Sequence, residues 1–115
     1  MNVAENYLAV WNEPDAAARE KRLREVFADG AKLTDPRAEV AGHAELAALI
    51  SGVREQFPGM EFRLAGPVDQ HHGIARFTWH AGPGDDPVVG FDVVKLAPDG
   101  RISEVLGFLD RVPQG

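Results

Sequence analysis

The run VVGFDVVKL, residues Val88 to Leu96, has the apolar continuity of a strand buried on both faces, interrupted by a single carboxylate, Asp92. Successive strand residues point to opposite faces, so Asp92 shares its face with Gly90, Val94 and Leu96. Apolar surroundings penalise the charged form of an acid and favour the protonated one, which can donate a hydrogen bond. Two other readings stay open for Asp92. It is either a structural acid paired with an Arg or a backbone N–H, or part of a strand face that opens to water.

Working outward from this run, turn residues punctuate a series of strands. Ala97-Pro98-Asp99-Gly100 leads to a strand over Arg101 to Asp110, and the loop GPGDDP (Gly82 to Pro87) follows one over Ile74 to Ala81. His72-Gly73 separates that strand from Val68 to His71, and Glu61 to Gly66 precedes them. The first half is helical instead. Val3, Tyr7, Val10 and Trp11 fall on one helical face, and Pro14-Asp15 starts a second helix whose apolar side is Leu23, Val26 and Phe27, ending at Asp29-Gly30. Ala31 to Asp35 is short and extended before Pro36, and Gly42 opens a third helix with Leu46, Leu49, Ile50, Val53 and Phe57 on one stripe, stopped by Pro58-Gly59. Helices first and strands afterwards describe an α+β domain with helices on one face of a curved antiparallel sheet, which can enclose a pocket.

The 115 residues suit one domain, 1–115, large enough to bury a core without a metal or a disulfide. With no cysteine, thiol chemistry and thiolate metal sites are excluded, and a reducing cytoplasmic setting is expected. Neither a signal peptide nor a membrane-spanning stretch is expected. The net charge of -6 opposes nucleic-acid binding. The basic run from Arg19 to Arg24 contains Glu20 and reads as a solvated helix face.

The stretches NYLAVWNEPD, FADGAKLTDPRAEVAGHAEL and VVGFDVVKLAPDGRISEVLGFLD resemble the nuclear transport factor 2-like superfamily, in its ketosteroid isomerase and SnoaL-like polyketide cyclase branch. The resemblance covers nearly the whole chain. It implies a cone-shaped, cystatin-like fold: three N-terminal helices packed in a strongly bent mixed or antiparallel sheet that encloses an apolar pocket. It also implies a homodimer formed through the sheet. In the isomerase a Tyr on the first helix, an Asp directly before a Pro and an Asp in a late strand form the site; Tyr7, Asp35 and Asp92 match those positions. The roles so implied are Asp35 as general base, and Tyr7 and protonated Asp92 as hydrogen-bond donors to an oxyanion, a division of labour for which ketosteroid isomerase is the standard example.

That chemistry requires two unlike acids, because a proton beside a carbonyl leaves only if the developing enolate oxygen is stabilised. Asp35, ahead of Pro36, suits an ionised carboxylate at a cavity mouth. Trp11, Phe62, Phe77, Trp79, His80, Phe91 and Phe108, with Leu8, are candidate walls for a small hydrophobic carbonyl compound. Trp11 and Trp79 are also bulky enough to fill part of such a cavity. Isomerisation and aldol ring closure both pass through an enolate, and the spacing does not choose between them. Other readings remain: Tyr7 as a helix aromatic with its hydroxyl at the surface, Asp35 as a turn former, and His80 on a solvent-facing stripe with Thr78 and Arg76. Tyr7 is the only tyrosine, so the supporting tyrosine network of the isomerase is missing.

Other chemistries find little support. His43, His71, His72 and His80 lack metal-ligand spacing, so no metal or other cofactor is expected. The loop at Gly82 to Pro87 carries two aspartates and precedes a strand, which argues against phosphate binding. Neither Ser51 nor Ser103 has the setting of a nucleophile. The sequence leads to cofactor-independent acid–base chemistry on a carbonyl compound, with a non-catalytic module that binds a small hydrophobic ligand, or dimerises, as the alternative.

Overall fold

The computed structural model describes residues 1–113. Helix α1 (Val3–Asn12) starts at a reciprocal cap: the Asn2 side chain accepts from the Glu5 N–H at 2.8 Å, and the Glu5 carboxylate accepts from the Asn2 N–H at 3.0 Å. It buries Ala4, Tyr7, Leu8, Val10 and Trp11. Asp15 caps α2 (Ala16–Val26) through the Ala18 N–H.

The second helix ends earlier than its apolar pattern suggests. Phe27 closes it by donating its N–H to the Leu23 carbonyl, and from Phe27 the chain is already strand β1 (Phe27–Asp35). Asp29-Gly30 is therefore not a helix terminus. Gly30 adopts φ +71°, within the interval where the pairing of β1 with its neighbour shifts register, so the glycine serves a bulge inside a strand. A tight turn at Asp35 returns the chain as β2 (Ala38–Ala41), a short hairpin partner absent from the sequence reading.

Helix α3 (His43–Gln56) buries Leu46, Ile50 and Val53, but Phe57 lies beyond its end and is 40% exposed rather than part of the stripe. Five strands follow: β3 (Phe62–Leu64), β4 (Asp69–His71), β5 (Ile74–Ala81), β6 (Val88–Leu96) and β7 (Ile102–Arg111). The sheet runs β2-β1-β7-β6-β5-β3, with β4 also on β5; it is curved and unclosed. Its β1–β7 pair is parallel and the other pairs are antiparallel, so the sheet is mixed. Those two strands are joined through most of the chain, the long connection that a parallel pair requires.

The helices pack on the inner face, where Leu23, Phe27, Leu33, Leu46, Ile50, Phe77, Val94, Ile102 and Val105 form the core. On β6 only Gly90, Asp92 and Val94 are buried; Val89, Phe91 and Val93 on the outer face are half-buried and Lys95 is exposed. The central strand is therefore covered on one face, not two. Among the described residues no helix is long and apolar enough to cross a membrane.

Candidate active site

Three neighbouring strands place two acids side by side. Asp92 of β6 pairs with Gly107 of β7, and β7 runs parallel to β1 with Leu106 opposite Thr34, so Gly107 lies between Asp92 and Asp35. A Cβ at Gly107 would stand 2.7 Å from Asp92 Oδ1 and 3.3 Å from Asp35 Cβ. Glycine inside this strand leaves the space that both carboxyl groups occupy.

The two acids have different partners. Asp35 Oδ1 accepts the backbone N–H groups of Arg37 and Ala38 at 2.8 and 2.9 Å, and Arg37 Nη2 lies 3.6 Å from Oδ2. The Asx turn so formed reverses the chain from β1 into β2 and holds the carboxylate at the sheet margin, its side chain 16% exposed. Asp92 is 5% exposed, and its Oδ2 accepts the Trp79 indole N–H at 3.0 Å. Trp79 reaches it because its cross-strand partner is Gly90, where a Cβ would stand 2.0 Å from the indole ring.

Burial pushes the Asp92 carboxyl up to about 7, against the pull of the Trp79 hydrogen bond, with the Asp35 charge raising it further and Tyr7 opposing. Tyr7, 4% exposed on α1, stands well above the ordinary tyrosine range, first through burial and then through the charge of Asp92. Near neutral pH its hydroxyl therefore keeps its proton and can donate it. Aromatic neighbours fix the ring in place: Trp11, Phe27 and Phe77 lie with centroids 6.3, 5.9 and 5.8 Å away.

Tyr7, Asp35 and Asp92 line one cavity with Leu8, Trp11, Arg37, Phe62, Trp79, Phe108 and Leu109. Its volume is about 20 Å³, room for about one water-sized group, because the two tryptophans and Phe62 fill the rest. Arg37, Phe62, Trp79 and Leu109 also wall a larger, mainly apolar groove of about 330 Å³ that continues along Val53, Met60 and Val88. A narrow polar end next to an apolar groove suits a ligand with one polar atom on a hydrophobic body.

Other candidate wall residues fall elsewhere. Phe77 lies beneath Tyr7 without lining the cavity. Phe91 and His80 do not reach it either: each is adjacent in its strand to an inward residue, Asp92 and Trp79, and so faces outward. Phe108 is 58% exposed and pairs with Phe91, yet contributes to the lining. The sequence reading missed Arg37, Leu109, Gly90 and Gly107. For the two glycines the signal was available, since glycine inside an apolar strand marks the close approach of another group.

The profile of the SnoaL-like domain family matches residues 4–105. A solved structure from Agrobacterium tumefaciens strain C58, provisionally called an isomerase of the SnoaL-like family, is 40% identical over 95% of both chains, with a TM-score of 0.90. A provisional ketosteroid isomerase from Kribbella flavida shares 16% identity over 98% of this chain and 78% of its own, with a TM-score of 0.73. A provisional SnoaL-like polyketide cyclase from Jannaschia sp. CCS1 shares 19% over 94% and 85%, with a TM-score of 0.74; these last two show the fold alone. No protein of curated function matches the chain. By its profile match, and by its 40% identity to a structure of the same architecture, this chain belongs to the SnoaL-like family, in the nuclear transport factor 2-like superfamily.

Proposed function

We propose that the protein catalyses a cofactor-independent proton transfer at the carbon next to a carbonyl of a small hydrophobic compound. In this reading Asp35 takes the α-proton: the C–H bond breaks, an O–H bond forms on Asp35, and the electron pair moves to the carbonyl oxygen. Tyr7 and protonated Asp92 donate hydrogen bonds to that oxygen as its charge develops. Asp35 then returns the proton to another carbon of the conjugated enolate, giving isomerisation, or the enolate carbon attacks a second carbonyl, whose π electron pair moves to its oxygen and takes the proton from Asp35 as a hydroxyl, giving ring closure. The observation that carries the reading is a buried Asp92 with its pKa near 7, set beside Asp35 and a neutral Tyr7 in one cavity.

Exchange of the α-protons of 2-tetralone in D2O, followed by proton NMR, tests it. The wild type is expected to accelerate exchange and Asp35→Asn to abolish the acceleration while still binding the ketone. Ketone binding without any accelerated exchange would overturn it. The narrowness of the polar cavity favours the second reading, a non-catalytic binder of small hydrophobic molecules, which requires that outcome.

The outer sheet face supports a homodimer as part of the same proposal. Phe91 pairs with Phe108 and Val93 with Leu106 there, forming an apolar stripe in which Phe108 is exposed and the other three are half-buried. A chain without cysteine suits a reducing cytoplasm.

A further inference from the structure

Trp11 carries the one buried side-chain polar atom that has no hydrogen-bond partner among the described residues, its indole Nε1. The residue is 4% exposed, and leaving such a donor unpaired costs about 1–3 kcal/mol. A buried tryptophan ordinarily finds a partner for its N–H, as Trp79 does in Asp92. Trp11 lies one helical turn after Tyr7 on α1, so the two side chains share a face of the helix. It lines the same cavity as Tyr7 and Asp92. Its N–H lies near enough to the Tyr7 oxygen to favour the phenolate, yet the two make no hydrogen bond.

A cavity of about 20 Å³ lined by Tyr7, Asp92 and Trp11 holds one oxygen atom rather than one ring. We propose that Trp11 Nε1–H is a third hydrogen-bond donor to the ligand's oxygen, converging on it with Tyr7 and Asp92. The inference rests on the oxyanion reading above and adds a residue to it. It also accounts for a site with a single tyrosine: an indole N–H, which cannot ionise in the accessible pH range, supplies a donor that needs no proton relay behind it. Trp11 and Trp79 then divide their work. Trp79 fixes the Asp92 carboxyl, leaving Oδ1 on the side of Gly107 and Asp35, while Trp11 addresses the ligand directly.

The test compares 2-naphthol, whose ring-bound oxygen resembles an enolate, with naphthalene, which lacks the oxygen. Both are titrated against wild type, Trp11→Phe, Tyr7→Phe and Asp92→Asn by fluorescence and calorimetry. Trp11→Phe keeps an aromatic ring and removes the N–H. The expected result is that it lowers the preference for naphthol over naphthalene about 10-fold, the value of one hydrogen bond to a partly charged oxygen. A second readout is the pair of indole N–H signals in a nitrogen-15 spectrum, in which the Trp11 signal, assigned by its loss in Trp11→Phe, moves downfield on adding naphthol.

Equal losses for both ligands with an unmoved indole signal would mean that Trp11 only packs, and would overturn the proposal. If Tyr7→Phe and Asp92→Asn reduce the naphthol preference and Trp11→Phe does not, the third donor falls and the oxyanion site stands. A wild type that shows no preference for naphthol, or binds neither compound, overturns both.

Discussion

Asp35 and Asp92 flank the same glycine and are the same residue type, yet the sheet treats them in opposite ways. Asp35 stands where β1 ends, with two backbone N–H groups and a guanidinium directed at it, the partners of a charged carboxylate. Asp92 stands in the middle of the sheet under the helices, buried beside the Trp79 indole N–H and the Tyr7 hydroxyl with no cationic partner among the described residues, and its pKa rises to about 7. The contrast comes from position in the fold rather than from side-chain chemistry. A strand end has free N–H groups and solvent, whereas a strand centre has spent its backbone on the ladder and offers side chains alone.

The comparison breaks most sharply if one acid is disabled at a time. Asp35→Asn should cost on the order of 10²–10⁴ in α-proton exchange rate, with little change in the melting curve. A loss of folding that matched the loss of activity would contradict the assignment.

Asp92→Asn should change stability as well as the oxyanion site, and with a definite sign. The folded protein retains a proton between pH 3.8 and about 7 that the unfolded chain has released. The stabilisation is full below that window and is lost as pH rises through it, by about 4 kcal/mol at most. The Asn variant has no such loss, so its stability relative to wild type, from urea titrations at pH 4 and pH 8, should be clearly greater at the higher pH. Equal differences at both would show that Asp92 is not held protonated.

Gly90→Ala should destabilise by about 2–3 kcal/mol, because the added methyl overlaps the Trp79 ring. A smaller effect accompanied by loss of the tryptophan near-ultraviolet signal would mean that the ring had swung away and released Asp92. Trp79→Phe should cost about 1–2 kcal/mol near pH 8, where Asp92 is charged. Its hydrogen bond holds the Asp92 pKa down, so removing it should raise that pKa and move the alkaline fall in activity to higher pH. Asn2→Ala, at the far end of the same helix as Tyr7, should cost about 1 kcal/mol through the lost cap and leave the pH profile unchanged.

What the sequence could reveal followed from how local each signal is. Strands β5 and β6 end where they were expected to, since turn residues mark their limits. The trio Tyr7, Asp35 and Asp92 came from a family resemblance, and the structure brings the three to one cavity. Strand parity turns Phe91 and His80 outward once Asp92 and Trp79 point inward, which leaves His80 on the outward stripe with Thr78 and Arg76. The start of β1 at Phe27 was harder to see. An apolar residue after a helical stripe continues the helical period as well as it begins a strand, and only pairing with Ile102, distant in sequence, decides it. The Trp79–Asp92 hydrogen bond, and the orphan N–H of Trp11, depend on side-chain rotamers and on a glycine opposite the ring, which no periodicity records.

Carbon-detected NMR of the side-chain carboxyl groups, titrated from pH 3 to 9, tests the central claim most directly. One aspartate carboxyl should titrate near pH 7 and vanish from that position in Asp92→Asn. If every aspartate carboxyl instead titrates in the ordinary acid range, Asp92 is an ordinary solvated acid, and the oxyanion site built around it does not exist.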